Sequence, residues 1–491
     1  MARMPNKLSL GLVGGAEPAR ALQGRFPPQR GLTPPLVAPE AGLADMISQR
    51  VPSSAKAEPA QLNSEGVPLA HGQNDLHLGL EHLPLERAAN KLRKLPDLAP
   101  ILGRASGDNS VLRASSRHFQ DNLRWIYEHM DPVVRDIAEH WYEGAHVHTR
   151  GIAEAHGIPH RAAAGMTARL SPGWDWNHNV ELLHRILGTH LAQGMTEETP
   201  EGRPTEDMIR RIQGYAAAQT RENARRYYTE LANELAQAPR YSELADPIAR
   251  AMFIRARDES RSARVEGASH VPLIHPYGAV SGWAMKPNKR DIDTLKWQSL
   301  DNVGAALKIL MDPSLPNISR ILGEGNHKIR SFYNDIIAPF HRQGNVTVDT
   351  HQIAASHLIP LGIAHAYAEH GANAPEFSET GSYGLYALYQ HATQMLAKEL
   401  NISPRAAQSI VWEGGRALFP AASKRSKKAA EALGGEGAPK ERIAYAPLVE
   451  AAWRESQNAE RTREAIGQFA LHDIRAHGGR IPPPEWLLPA A

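Results

Sequence analysis

The apolar positions between Arg117 and Gly157 repeat with a helical period. In RHFQDNLRWIYEHM, Phe119, Leu123, Ile126, Tyr127 and Met130 fall at i, i+4, i+7, i+8 and i+11, which is one face of an α-helix. The stretch VVRDIAEHWYEGAHVHTRGIAEAHG keeps that period as far as Gly157. Ser171-Pro172 reads as a helix start that runs on into NVELLHRILGTHLAQ. Residues 205–262 carry charged amphipathic patterns for two or three helices. Further helices are expected over 298–312, 328–339, 351–369, 384–400, 404–418, 441–456 and 459–476. Alternating strand patterns are nearly absent, and VTVDT at 346–350 is the best of them. Pro and Gly clusters at 200–204, 272–289, 372–384 and 434–439 mark loops. The expected fold class is all-α.

Composition changes this picture at one end. Residues 1–100 hold 13 of the 36 prolines and a single aromatic, Phe26, whereas all nine tryptophans lie between Trp125 and Trp486. So few large apolar groups cannot offset the entropy of ordering a backbone, so residues 1–112 are expected to be a Pro-rich, mostly disordered tail. A short helix is expected within it at Leu83–Leu95, where LPLERAANKLRKL has helical spacing and a basic end. The remainder divides into helices at 113–190, a further helical stretch at 191–297, a region at 298–423 that carries the candidate chemistry, and C-terminal helices at 424–491.

Charge and cysteine content narrow the chemistry. Lys plus Arg is 55 and Asp plus Glu is 53, a near-balance that excludes a histone-like or polyacidic protein. There is no cysteine, so disulfides, thiolate zinc sites, iron–sulfur clusters and a Cys nucleophile are ruled out. No apolar run reaches 18 residues, so no membrane span is expected. The stretch LSLGLVGGA near the N-terminus is too brief and glycine-rich for the apolar core of a signal peptide. Histidine is abundant, at 24 residues. His146 and His148 are two apart on a predicted helix and point away from each other. His156 and His160 have helical spacing but flank Pro159, so no metal site is expected.

Three segments concentrate chemistry: MTARLSPGWDWNHNV at 166–180, ISRILGEGNHKIRSFYN at 318–334, and NVTVDTHQIAA at 345–355. Gly323-Glu324-Gly325 separates an apolar helix end (Ile318, Ile321, Leu322) from a helix expected to begin near Asn326. A tight turn between helices favours glycine, which adopts positive φ without strain. The helix that follows presents unpaired N–H groups and a partial positive charge, a ready site for a phosphate. Lys328 follows Gly325 by three residues, and Asp349 follows Lys328 by 21. Basic clusters at 221–226 (RENARR), 286–290 (KPNKR) and 424–428 (KRSKK) are further candidate phosphate contacts or solvated surface.

The order of apolar residue, Gly-x-Gly, Lys, helix and Val-Asp-Thr-His resembles the helix-hairpin-helix DNA glycosylase superfamily, of the endonuclease III and 8-oxoguanine glycosylase type. VTVDTHQIA resembles that family's catalytic loop. MTARLSPGWDWNHNV, KIRSFYN, GSYGLYALY, SIVWEGGRALFP and the closing IPPPEW resemble still more closely an uncharacterised phage and bacterial glycosylase-like branch. The resemblance spans roughly residues 118–490. The chain departs from the pattern in several places. Leu322 stands in place of the hairpin proline, Glu324 brings a negative charge, and Lys328 lies one position late. The interval to Asp349 is two to three residues long, and Gly173 stands where the branch has Gln. Residues 191–297 are then an insertion relative to a minimal glycosylase, and the missing cysteines preclude the cluster of endonuclease III.

The resemblance implies a helical bundle that binds duplex or single-stranded DNA, flips a base and breaks its N-glycosidic bond without a cofactor. It implies that Asp349 stabilises the developing sugar cation or orients a water. Asp349 is equally placed to cap the helix that follows it. Lys328 is a candidate nucleophile, a phosphate contact, or a solvated helix lysine. Gly323, Gly325, Asn326 and Arg330 join it as DNA-binding candidates. Trp174, Asp175, Trp176, Asn179 and His351 are base-pocket candidates, against a plain core role for the tryptophans. The implied place of action is the bacterial cytoplasm, or a target cell if the tail is a delivery segment. Related readings of the same fold are an enzyme of thymine hypermodification and a catalytically inactive DNA-binding module.

Overall fold

The computed structural model describes residues 107–358 and 385–418, with 89, 90, 92, 93, 98–103 and 105; within these ranges 131, 198, 277, 287–290, 324–326 and 340–345 are excepted. These residues are mostly helical. The elements are α1 (Ala99–Leu102), α2 (Asp108–His129), α3 (Pro132–Glu139), α4 (Trp141–His156), α5 (His160–Leu170), α6 (Trp176–Leu191), α7 (Glu206–Ala217) and α8 (Glu222–Ala236). They continue as α9 (Pro247–Ser262), α10 (Leu300–Met311), α11 (Leu315–Leu322), α12 (His327–Ile337), α13 (Thr350–His357), α14 (Leu385–Leu400) and α15 (Pro404–Leu418). The expected all-α class is correct.

Two apolar clusters organise the helices. One gathers residues of α4–α12, including Met166, Leu183, Ile212, Leu235, Phe253, Leu307 and Phe332. At its centre lies α5, which packs against α4, α6, α10, α11 and α12. Its sequence HRAAAGMTARL is small-residue-rich all round, as a helix enclosed on every side requires. Gly165 marks the tightest approach, because a Cβ there would lie 3.2 Å from Cγ2 of Ile309 on α10. The apolar residues of α7, α8 and α9, within 191–297, belong to this same cluster.

The second cluster joins Leu98, Val111, Phe119, Leu123 and Ile126 to Val346, Val348, Ile353, Tyr389 and Ile410. Its first long helix begins at Asp108, ahead of the helical pattern that the sequence shows from Arg117, and Ala89 and Leu92 are buried as well.

The structure corrects several boundaries. Ser171-Pro172 does not start a helix: Ser171 closes α5, and α6 starts at Trp176 behind Asp175, whose carboxylate accepts the His178 N–H at 3.0 Å. The helix expected over 351–369 ends at His357, where Leu358 turns to φ 51°. Among the described residues the two strands lie elsewhere than VTVDT, at β1 (Pro272–Ile274) and β2 (Val280–Trp283), which form an antiparallel hairpin. The helices expected at 441–456 and 459–476 lie outside the described residues.

Candidate active site

Asp349 closes a short extended segment, Val346–Asp349, that runs between the two clusters. Val346 and Val348 are fully buried, and Thr347 points the other way to donate to Oδ2 of the buried Asp335 at 2.7 Å. Asp349 is then the N-cap of α13, its Oδ1 accepting the N–H groups of His351 at 2.9 Å and Gln352 at 3.0 Å. Its Oδ2 accepts the indole N–H of Trp412, from α15, at 2.8 Å. Burial opposes ionisation of this carboxyl. The charges of His351 and Lys328, the Gln352 N–H and the Trp412 indole outweigh it and hold the group below the usual carboxylate range. Lys328, in the first turn of α12, is therefore brought to act on Asp349 across the 21 residues that separate them in sequence.

The turn ahead of α12 has the expected form at its described end. Gly323 terminates α11 with φ 77° and ψ 144°, a conformation that side chains rarely adopt. Gly325 and Asn326 lie outside the described residues. Arg330, a candidate DNA contact by sequence, is 1% exposed and presents no surface to a backbone. Burial follows from its place on α12, where Ile329, Arg330, Ser331, Phe332, Tyr333 and Asn334 are all buried.

From Asp349 a chain of aromatic rings leads away through Trp412. The Trp412 ring centroid lies 5.7 Å from His351 and 6.2 Å from Trp141, which is 5.2 Å from Trp176. All four of these side chains are half-buried. The Arg416 guanidinium stands 4.2 Å over the Trp412 ring. It also acts on Asp175 from a distance. Asp175 is exposed, so desolvation resists its ionisation little, and the hydrogen bond and charge of His178, with Arg416 behind them, lower its pKa.

Two glycines allow this contact. A Cβ on Gly415 would meet the Ala355 Cβ at 3.2 Å and the His351 carbonyl at 3.3 Å. One on Gly414 would meet Ile126 Cγ2 at 2.4 Å. Helix α15 can therefore lie against both α13 and α2 and deliver Trp412 to Asp349.

The structure thus brings together Asp349, Lys328, His351, Trp176 and, at the edge, Asp175. It separates the others. Trp174 stacks on His178 at 5.3 Å, with the Lys296 ammonium 6.0 Å over its ring. Asn179 is 2% exposed and donates to the Thr167 carbonyl at 2.9 Å, tying α6 to α5 rather than facing a base. His146 and His148 diverge: His146 meets the Ile336 carbonyl at 2.9 Å, while His148 faces Trp176 and His184. Among the described residues, no group of three or more His, Asp or Glu side chains is arranged to hold a metal ion. Of the basic clusters, 221–226 is mostly exposed at the start of α8, with Arg225 paired to Glu222; 424–428 and 287–290 lie outside the described residues.

Sequence reasoning missed Trp141, Trp412 and Arg416. A signal was present in SIVWEGGRALFP, where Trp412 and Arg416 are four apart on a helix and enclose a Gly-Gly pair. No helix of the described residues is long and apolar enough to cross a membrane. No curated protein and no solved structure matches the chain. One family model does match, the Family of unknown function (DUF7178), over residues 108–238. That stretch includes Trp141 and Trp176 and stops short of Lys328, Asp349 and Trp412, so the chain is similar to that family along its first helices, α2–α8.

Proposed function

We propose that the protein is a DNA glycosylase-like enzyme of helix-hairpin-helix type, which takes a flipped nucleotide at Asp349 and breaks its N-glycosidic bond. The observation that carries this reading is the state of Asp349. It is a half-buried carboxylate kept ionised by a helix N-terminus, an indole N–H and a nearby lysine, beside half-buried tryptophans. A glycosidic bond breaks with positive charge building on the sugar, and a fixed anion beside C1′ lowers the energy of that state. Water adds to C1′ as the base leaves, Asp349 orienting the water or facing the cation. Indole faces at Trp412, Trp141 and Trp176 suit a base taken out of its stack. The turn at Gly323 and the start of α12 suit a phosphate, with Lys328 as its cation. DNA as substrate implies action in the bacterial cytoplasm, or in a target cell if residues 1–112 serve delivery.

The test is release of a small molecule. The protein is incubated with ordinary, damaged and hypermodified DNA, and the supernatant is read by mass spectrometry. A free base from one substrate class supports the reading and names the substrate. Unmodified DNA in every case, with binding intact, contradicts it. Borohydride trapping on a reactive substrate separates the roles of Lys328. A covalent adduct that Lys328→Gln abolishes makes it a nucleophile; no adduct, with weaker DNA binding in the variant, makes it a phosphate contact.

A further inference from the structure

The segment that ends in Asp349 has the alternating pattern of a strand but takes its described hydrogen bonds from side chains. The Tyr386 hydroxyl, on α14, donates to the Val346 carbonyl at 2.8 Å and accepts the Val348 N–H at 3.1 Å. In an extended chain, the carbonyl of one residue and the N–H of the second residue on point the same way. One residue of a neighbouring parallel strand would bond to both. Here a single phenol does so. The Ser331 hydroxyl lies 3.1 Å from the same oxygen, and Gln390, one turn along α14, accepts the Val346 N–H at 3.4 Å. On the other face, Thr347 is tied to Asp335, which pairs with the Arg405 guanidinium at 3.6 Å. Tyr386 is 4% exposed, so the backbone groups it serves have no access to solvent in its place.

We propose that Tyr386 is a positioning residue for Asp349. Its hydroxyl stands in for a strand partner and fixes the three residues that set where the Asp349 carboxylate meets the His351 and Gln352 N–H groups and the Trp412 indole. The proposal rests on Asp349 being the reacting carboxylate. Tyr386→Phe keeps the ring and its packing and removes both bonds to the segment. Val346 and Val348 are left with buried unpaired groups, and the segment shifts to satisfy them. A displacement of up to about 1 Å at a reacting group slows a reaction by about 10- to 100-fold.

The test uses the full chain and two readouts. The first is the Asp349 carboxyl resonance in protein carrying 13C-labelled aspartate, assigned by its loss in Asp349→Asn and followed with pH. In Tyr386→Phe its midpoint moves up towards the ordinary carboxylate range. The second is base release, where kcat falls and affinity for DNA stays within about twofold. Leu235→Ala, in the other apolar cluster, is the control for lost stability: it lowers Tm and moves neither readout. An Asp349 midpoint unchanged in Tyr386→Phe overturns the proposal. So does a rate in Tyr386→Phe equal to wild type when that of Asp349→Asn has fallen. Base release at the wild-type rate in Asp349→Asn removes the reading beneath it and the proposal with it.

Discussion

At the scale of single residues, Asp349 takes the capping role that the sequence offered beside catalysis, and its second oxygen has a partner of its own. It caps α13 through Oδ1 and receives Trp412 through Oδ2. A cap by itself uses one oxygen, so the second marks the carboxylate as held from both sides. Trp412→Phe removes the indole donor and keeps an aromatic face. The donor stabilises the charged form, so its loss raises the Asp349 pKa. For a reaction that needs the carboxylate, the acid limb of the rate then moves to higher pH, and the measurement is a pH–rate profile of the two proteins. A profile that does not move contradicts the bond's role. Lys328, Asp349 and His351 were legible because Gly-x-Gly, Lys and Val-Asp-Thr-His are close in sequence, and Trp176 because it stands in the distinctive segment SPGWDWNHNV. Trp412 and Trp141 were not, because they lie 63 and 208 residues from Asp349 in sequence: Trp412 reaches Asp349 by the packing of α15, and Trp141 reaches Trp412 in turn.

At the scale of elements, the site depends on how closely α15 approaches α13. Gly415→Val adds a branched side chain where a single Cβ already meets Ala355 and the His351 carbonyl. Helix α15 must retreat, drawing Trp412 from Asp349. The expected cost is about 1–3 kcal/mol, read as a lower urea midpoint, with a larger loss of base release than the stability change alone explains. Gly323→Ala acts through the other element. At φ 77° the alanine is strained by about 1–3 kcal/mol, and relief shifts the start of α12 and with it Lys328. Its readout is weaker DNA binding with a smaller salt dependence. The period of 3.6 made most amphipathic helices legible. It failed on α5, where Ala162, Ala163, Ala164, Met166, Ala168 and Leu170 are all buried and leave no polar face to set a phase. It also read Val346, Thr347 and Val348 as a strand, because alternation records two buried faces and not what supplies the hydrogen bonds.

At the scale of the molecule, buried histidines set the response to acid. Burial brings His148 and His160 down to about 3 and His184 and His190 to about 4, each helped by a neighbouring charge: His184, His146 with Arg150, His156 and Arg250 respectively. In the unfolded chain they titrate at about 6.5. Between these values the unfolded state binds more protons, so stability falls as pH falls below about 6.5. From pH 7 to 5 each contributes a loss of about 2 kcal/mol by linkage. Asp335 opposes them. Burial raises it to about 7, against the pull of Arg405 and Thr347, so it favours the folded state as pH falls through that range. His178 also opposes them, since Asp175 outweighs its burial and raises its pKa. Four imidazoles outweigh these two groups, and the Tm at pH 5 is expected below that at pH 7. His148→Gln should reduce the difference; a Tm that is flat or rises towards pH 5 contradicts the account. None of this was legible from 24 histidines in a sequence, because the shift comes from enclosure and not from residue type.

In the proposed function, Asp349 is a reacting carboxylate and not only a helix cap. The most direct test of that claim compares wild type with Asp349→Asn on the DNA from which a base is released. Asparagine keeps an oxygen for the cap and removes the charge, so folding and DNA binding are expected to persist. Base release should fall by about 10²- to 10³-fold, the usual cost of losing one fixed electrostatic stabiliser. Release at the wild-type rate from a folded, DNA-binding Asp349→Asn protein would contradict the claim and leave Asp349 as a cap alone.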